Sequence, residues 1–387
     1  MKNNKKTISI FGVTGSVGKS VQAVLENHLD DFEVNTIVAK SNFKSLIKAA
    51  KLLKPKLVLI AESCFYEDVK KSLIKYDIEV ATGDKAILEA SKRKVDIFVA
   101  AIMGFSGLYT TYSCIPYVKS IALANKESLV CAGSLIMEEA MNNNCKIIPI
   151  DSEHNTLFQL LDVSSHNYLK KIIITASGGP FLNFKKEDLE YVTPDKAIKH
   201  PIWKMGAKIS VDSATLMNKG LELIEAAYLF NINTSKIDVL IHPQSIIHAF
   251  IEYVDGIMKA GMYNPDMKIP IAYALHYPNR KINNSNKVNL ALIKNLNFQE
   301  INKSLFNSVD ICRSAYRYGT SYLTALNASN EVAVYAFLNK KINFNNITVI
   351  IEKVLSNNFQ TKISGISDII EIDKRARSIA DSYINKG

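Results

Sequence analysis

No apolar stretch in the chain approaches the roughly 18–20 residues needed to span a bilayer, so no membrane segment is expected. The first ten residues, MKNNKKTISI, lack the apolar core and small-residue cleavage site of a secretory leader, and the expectation is a soluble cytoplasmic protein. Cysteines are few: Cys64, Cys114, Cys131, Cys145 and Cys312 form an odd set with no CxxC pair. Neither a disulfide framework nor a zinc site is indicated, and five buried, reduced thiols are expected. RRM, KH and zinc-finger signatures are missing, and the lysines are scattered. No nucleic-acid partner is therefore expected, although 47 Lys and Arg against 37 Asp and Glu leave a net charge of +10. That excess suits anionic small molecules. What is present is ordinary globular material, 48% hydrophobic and 22% charged over 387 residues, enough for two or three domains whose cores need no staple.

Residues 1–150 alternate short β-rich runs (7–11, 34–39, 56–60, 96–102) with helical periodicity, as in KSVQAVLENHL and 43–53. Strands of about five residues alternating with helices predict βαβ units and a Rossmann-like, doubly wound parallel sheet. After Ile150 the texture changes. A strand at Lys171–Thr175, a helix start at Thr193-Pro194, a partly helical Ser210–Tyr228 and strand-like runs at Asp238–Ile251 and Gly261–Ile271 predict a second α/β domain over 151–278, the catalytic one. Residues 279–300, rich in Asn and Lys and free of glycine, read as a linker. Over 301–387, Leu323–Leu338 reads as a helix, and Ile369, Ile372, Ala376, Ile379 and Tyr383 mark one apolar helix face, predicting a small C-terminal α-helical bundle.

Five clusters could carry chemistry. GVTGSVG (Gly12–Gly18) lies between the first strand and first helix, where glycines let the backbone close on a phosphate and the helix start offers free N–H groups. This context points to a dinucleotide. The second strand ends in Ala39-Lys40-Ser41-Asn42 without the acid that would bind a 2′-hydroxyl, which favours a 2′-phosphate and hence NADP(H), a solvated lysine being the alternative. Asn125-Lys126-Glu127 closes a buried strand, the end at which open α/β sheets bind ligands, or forms an ordinary loop. In Asp151-Ser152-Glu153-His154 an extended backbone would set Asp151 and Glu153 on one side, about 6–7 Å apart. Such a pair suits Mg²⁺ or Mn²⁺; helix capping is the alternative. Asn218, Lys219 and Glu222 share a helix edge, with Ser213 near its N-terminal end; Glu222 is the expected third metal ligand, and Glu225 the competing one. Ser177-Gly178-Gly179 can wrap a phosphate with backbone N–H groups, and His200 with Trp203 heads a stretch, 200–206, that reads as a water-excluding lid, or as a core anchor through Trp203. His242, His248 and His276 read as core or hydrogen-bonding residues.

In this order, GVTGSVG, LANKESLV, PIDSEHNTLFQLL, TASGGPF, HPIWKMGAKISVDSATLMNKGLELIEA, IHPQSIIHAF, PDMKIPIAYAL and NASNEVAVYAFL resemble the 1-deoxy-D-xylulose-5-phosphate reductoisomerase family, over residues 12 to about 338. The resemblance implies NADPH-dependent, divalent-metal-dependent rearrangement and reduction of 1-deoxy-D-xylulose 5-phosphate to 2-C-methyl-D-erythritol 4-phosphate, in the non-mevalonate isoprenoid pathway. It implies NADPH contacts at Thr14, Gly15, Ser16 and Val17, around Lys40, Ser41 and Asn42, and at Asn125, Glu127 and Gly206. It implies one cation, Mg²⁺ or Mn²⁺, on Asp151, Glu153 and Glu222, and substrate contacts from Lys126, Ser152, Glu153, Ser177, His200, Ser213, Asn218, Lys219 and Glu222. Of these, Ser177, Ser213, Asn218 and Lys219 would hold the phosphate; Lys126, Ser152 and Asn218 would reach the hydroxyls, and Lys126 would also neutralise charge at the reacting oxygens. A homodimer is likewise implied. The chain departs from the family pattern at Lys40-Ser41, where Gly-Lys or Gly-Arg is more usual, and at Lys268, where Arg is; Lys keeps the charge without the planar fork. The rival enzyme is another two-domain NADP-dependent dehydrogenase of a phosphorylated or semialdehyde substrate, with Cys131 as its only tempting nucleophile. A non-enzymatic NADP-binding sensor would need no converging carboxylates.

Overall fold

The computed structural model describes residues 5–162, 167–203, 205–282 and 284–385. Two compact units emerge, both discontinuous in sequence: Met1–Asn125 with Ile136–Asn155 and Asp266–Ser285, and Lys126–Leu135 with Thr156–Pro265 and Asn286–Gly387.

In the first unit the short β-rich runs become β1 (Lys6–Phe11), β2 (Phe32–Ala39), β3 (Leu57–Ile60), β4 (Glu79–Thr82), β5 (Val95–Ala100), β6 (Val118–Leu123) and β7 (Lys146–Pro149). They form one parallel sheet in the order β4-β3-β2-β1-β5-β6-β7. β3 is buried along its length, as expected of a parallel strand covered on both faces. Strand order reverses direction at β1, with β2 on one side and β5 on the other, so the crevice for a ligand opens at the carboxyl ends there. The helix Ser16–Glu26 turns Val21, Val24 and Leu25 inward, the i, i+3, i+4 spacing of one face. The helix Phe43–Leu53 has the bounds its periodicity predicts.

One expectation fails here. Gly261–Ile271 is not a strand-like run, because a helix, Lys268–His276, begins within it. Its apolar residues are buried on nearly every side, which erases the periodicity that separates helix from strand. Pro270 stands in its first turn, where a missing N–H costs no helical bond. Pro270, Ile271, Ala272, Ala274 and Leu275 are buried, and the helix packs on Ser16–Glu26, β6 and β7.

The second unit holds β8 (Leu169–Ala176), β9 (Ile237–Ile241), β10 (Ile247–Tyr253) and β11 (Met258–Met262) in the order β11-β10-β8-β9, β8 and β9 parallel and the other pairs antiparallel. The helix Met217–Phe230 is buried almost all round. Leu223, Ala226 and Ala227 meet Ile172, Ile174, Ala249 and Ile251 of the sheet. Leu221 and Ile224 meet the core of the C-terminal helices, with Phe337, Phe344, Ile351 and Val354. Those helices are Ser308–Tyr318, Thr320–Leu338, Asn346–Leu355 and Ile366–Asn385. The predicted face of the last is turned inward: Ile369, Ile372 and Ala376 are buried, and Ile379 and Tyr383 pack against the same core. The stretch read as a linker contains a helix, Leu290–Ile293, capped by Asn289, and a bridge from Gln299 to Ile241.

Candidate active site

The glycine loop is shaped by contacts that admit no side chain. Gly12 has φ of +97°, and a Cβ there would lie 2.2 Å from the carbonyl oxygen of Ala101; a Cβ on Gly18 would lie 2.3 Å from the oxygen of Gly12. The first glycine therefore makes the turn, and the last lets the helix close onto it. Gly15 and Ser16 are exposed at the helix start, with no side-chain cap and no acid in the first turn. The N–H groups there are available to an anion, flanked by Thr14 and Val17. The amides of Gly12 and Val13 donate to the carbonyl of Val38 at 3.0 and 2.9 Å, which ties the loop beside the end of β2 and the exposed Lys40, Ser41 and Asn42. Asn42 also caps the next helix, accepting from the Ser45 amide at 3.1 Å. Asn125, at the end of β6, is fully buried and donates to the Gly104 carbonyl at 2.9 Å.

Asp151 and Glu153 do not lie on an extended segment. A helix starts at Ser152, and the Asp151 carbonyl already accepts from the Asn155 amide at 2.8 Å. Glu153 sits in the first turn, where a carboxylate is favoured by the helix dipole, and receives the Ser152 hydroxyl at 2.7 Å. Nothing in the sequence reading singled out Asn155, yet its buried amide donates to the carbonyls of Pro149 (2.8 Å) and Pro270 (3.3 Å). This pins the helix start to the end of β7.

The second unit gathers residues that are far apart in sequence. Lys126 Nζ donates to Asn218 Oδ1 at 2.9 Å and to Glu222 Oε1 at 3.1 Å, and Lys219 Nζ pairs with the other carboxylate oxygen. Lys126, Lys219 and Glu222 are 3%, 4% and 1% exposed. Two buried ammonium groups facing one carboxylate leave a positive excess among these three, a setting that attracts an anion. Glu225, on the same helix, is also buried. Gly179, at φ of +70°, brings its Cα so close to Ser213 that a Cβ would lie 2.8 Å from the Ser213 oxygen. The Ser177 turn and the Ser213 backbone are thereby held together. Ser213 lies in the last turn of the helix Ala207–Ala214, ahead of Met217–Phe230, rather than at the start of a helix.

His200 accepts two backbone N–H groups at Nδ1, from Ile202 at 3.2 Å and Trp203 at 2.9 Å, and its Nε2 is 2.9 Å from Ser177 Oγ. With Nδ1 occupied as an acceptor, the proton resides on Nε2 and is donated to Ser177. Burial pulls the His200 pKa down to about 4. The unfolded chain, with an ordinary imidazole, then takes up its proton first, so this residue lowers stability as pH falls from about 6.5 toward 4. The expected result is a pH-dependent drop in melting temperature over that window, reduced in the His200→Asn variant; an unchanged slope in the variant would contradict the assignment. Gly206 is exposed with no atom within 4 Å of a Cβ position, Trp203 is half-buried, and Lys204 of this stretch lies outside the described residues.

One buried network carried no signal in the sequence reading. Lys208 Nζ lies 3.0 Å from Glu127 Oε1 and 2.8 Å from Asp212 Oδ2, and Asn330 donates to Asp212 Oδ1 at 2.9 Å. Burial alone would raise the Glu127 carboxyl, but Lys208 and local hydrogen bonds outweigh it and hold it below the usual range. Burial pushes Asp212 up, with Lys208 only partly opposing it. Lys208 itself is held above the ordinary lysine range, because Asp212, Glu127 and Glu331 together outweigh its desolvation.

The thiols separate the enzymatic alternatives. Cys131 is fully buried, and burial pushes its thiol well above the ordinary range, so it is no activated nucleophile. Cys114, Cys145 and Cys312 are also buried, but Cys64, expected inside, is exposed in the turn Ser63–Phe65, which buries no residue. His242, His248 and His276 hydrogen-bond to backbone carbonyls: His242 to Asn297 at 2.8 Å, His248 to Tyr263 at 3.1 Å and His276 to Ala272 at 2.8 Å.

Comparison with known proteins gives one answer along the whole chain. The family profile for 1-deoxy-D-xylulose 5-phosphate reductoisomerase matches residues 8–133, and two profiles for its C-terminal domains match 147–230 and 262–379. A reductoisomerase of that name from Ehrlichia canis is 43% identical over 384 residues, covering 98% of this chain and 99% of its own. One from Clostridium perfringens is 44% identical over 376 residues, covering 96% and 98%. The solved Zymomonas mobilis reductoisomerase in complex with NADPH superposes with a TM-score of 0.93 at 38% identity, covering 98% of this chain and 99% of its own. A solved reductoisomerase in complex with NADPH, fosmidomycin and magnesium gives 0.92 at 36% identity, covering 98% of each.

Proposed function

The chain belongs to the 1-deoxy-D-xylulose 5-phosphate reductoisomerase family, and from that premise we propose which of its residues perform the reaction. The enzyme converts 1-deoxy-D-xylulose 5-phosphate with NADPH and a divalent cation, in isoprenoid synthesis. The observation that carries our assignment is the buried Glu222 held by Lys126 and by Asn218 and Lys219 of its own helix.

We assign residues 1–150 to NADPH binding, 151–278 to catalysis, 279–300 to a linker and 301–387 to a helical domain. The cradle of Thr14, Gly15, Ser16 and Val17 fits a pyrophosphate, since Gly12 and Gly18 leave no side chain in the way. Lys40, Ser41 and Asn42 stand beside it, with their side chains toward solvent where a 2′-phosphate would sit. Asn125, Glu127 and Gly206 complete the cofactor set. NADPH supplies the hydride.

Asp151, Glu153 and Glu222 would hold the cation: three carboxylates are the hard oxygen donors that Mg²⁺ or Mn²⁺ prefers. When bound, it polarises the substrate carbonyl and offsets negative charge. Ser177, Ser213, Asn218 and Lys219 take the phosphate, with His200 orienting Ser177 through its Nε2 proton. Lys126 and Ser152 meet the hydroxyls, and Lys126 holds positive charge near the reacting oxygens. Phosphate binding remote from the reacting carbons supplies energy to orient them, with the stretch 200–206 closing over the substrate.

A homodimer is also proposed. β11 is an edge strand whose pattern is nearly all exposed, with Val254, Ile257, Met258 and Met262 uncovered near it. An apolar open edge is a template for pairing with a second copy. Among the described residues no helix is long and apolar enough to cross a membrane, and we place the enzyme in the cytoplasm.

The test is NADPH oxidation with 1-deoxy-D-xylulose 5-phosphate. Turnover is expected with Mg²⁺ or Mn²⁺, lost on chelation and restored by adding the cation back. Absence of turnover with that ketose in the presence of both cations overturns the reading.

A further inference from the structure

Lys126 is the first residue of the helix Lys126–Asn142, and that helix is broken at Ala132, whose backbone is non-helical. Its opening segment is therefore not held in line by the helix that follows. It depends on its own ties. The Cys131 carbonyl accepts from Thr324 Oγ1 at 3.2 Å, and Gly133 meets the Tyr228 ring so closely that a Cβ would lie 2.3 Å from it. At the other end, next to Lys126, one tie runs from Glu127 to Lys208. Lys208 is in turn the second residue of the helix Ala207–Ala214, whose first residue follows the unpacked Gly206. The same ammonium grips Asp212 one turn on, and Asp212 is anchored to Asn330 in the C-terminal helices.

We propose that Lys208 is a positioning residue: by joining Glu127 to Asp212 it fixes the turn that carries Lys126 against the helix that ends beside Ser213, and so aims the Lys126 ammonium at Asn218 and Glu222. The inference rests on the reading of Lys126 as a group that serves the reaction. Removing a cation shared by two buried carboxylates takes an ion pair from each, and the nearer of them, Glu127, is covalently next to Lys126. Lys208 touches no substrate; it acts through Glu127.

The test is steady-state kinetics with NADPH, the phosphorylated ketose and Mg²⁺ on wild type, Lys208→Met, Lys208→Arg, Glu127→Gln and the Lys208→Met/Glu127→Gln double variant, all well below their melting temperatures. Misplacing Lys126 by about 1 Å is expected to lower kcat by ten- to a hundredfold in Lys208→Met. The KM for the ketose should move by less than about threefold; with every variant assayed well below its melting temperature and its active enzyme quantified, the lower kcat is not a loss of folded enzyme. Lys208→Arg, which keeps the charge, should restore most of kcat. The double variant should be no slower than Lys208→Met, because both changes cut one tie. A kcat in Lys208→Met within about threefold of wild type overturns the proposal, as does a strictly additive double variant. Should Lys208→Met fail to fold, Glu127→Gln carries the test, since Lys208 keeps Asp212; its kcat must fall about tenfold, and an unchanged kcat overturns the proposal. Wild-type enzyme without turnover on this ketose would instead overturn the functional reading itself.

Discussion

Glu222→Gln is expected to lower kcat about a thousandfold at any cation concentration, a loss of about 4 kcal/mol of transition-state stabilisation. The amide keeps the shape of the side chain and its place on Met217–Phe230, and removes only the charge. That charge has two duties in our assignment. It is a cation ligand, and it is a carboxylate shared by the buried ammonium groups of Lys126 and Lys219. Losing the first raises the cation concentration needed for half-maximal rate. Losing the second removes a negative charge paired with two buried ammonium groups, which lowers the melting temperature. The readouts separate the duties. A variant that is less stable but reaches wild-type kcat at saturating Mg²⁺ would show Glu222 to be a counter-ion only, and would remove it from the cation site.

Gly12→Ala should raise the Kd for NADPH about a hundredfold, with the ketose-binding residues untouched. The left-handed backbone at this position costs of order 1–3 kcal/mol for a residue with a side chain. The Cβ would lie only 2.2 Å from the Ala101 oxygen, a clash that no rotamer relieves, because a Cβ is fixed by the backbone and its partner is backbone. The loop must open, and with it the row of N–H groups at the start of Ser16–Glu26. Titration of NADPH fluorescence checks this; an affinity within about threefold of wild type would show that the loop does not bind the cofactor.

The glycine loop was legible in the sequence because its chemistry is local: a strand, a turn that only glycine can make and a helix follow within twenty residues. The helix face from Ile369 to Tyr383 was legible for the same reason, since burial on one side writes a 3.6-residue period into the chain. The carboxylate pair Asp151 and Glu153 was read on an extended backbone, and the structure starts a helix there instead. An Asp-Ser-Glu run after a strand is compatible with continued extension or with a helix start, and the Asn155 amide that decides between them bonds to Pro270, 115 residues away. The Lys208 network was not legible at all. Glu127 stood out only as part of the run after β6; Lys208, Asp212 and Asn330 are unremarkable as isolated charged and amide residues, and only the tertiary fold makes one cation answer to two acids.

The segment Asp266–Ser285 has a consequence for how the chain is made. The first unit takes its last helix from a part of the sequence that leaves the ribosome more than a hundred residues after β7. Until then the surfaces of Ser16–Glu26, β6 and β7 that the helix Lys268–His276 covers stand open to water. The nascent unit thus waits, incomplete and sticky, for the rest of the polypeptide, and a fragment terminated at residue 150 would be prone to aggregate rather than to accumulate as an independent NADPH-binding protein.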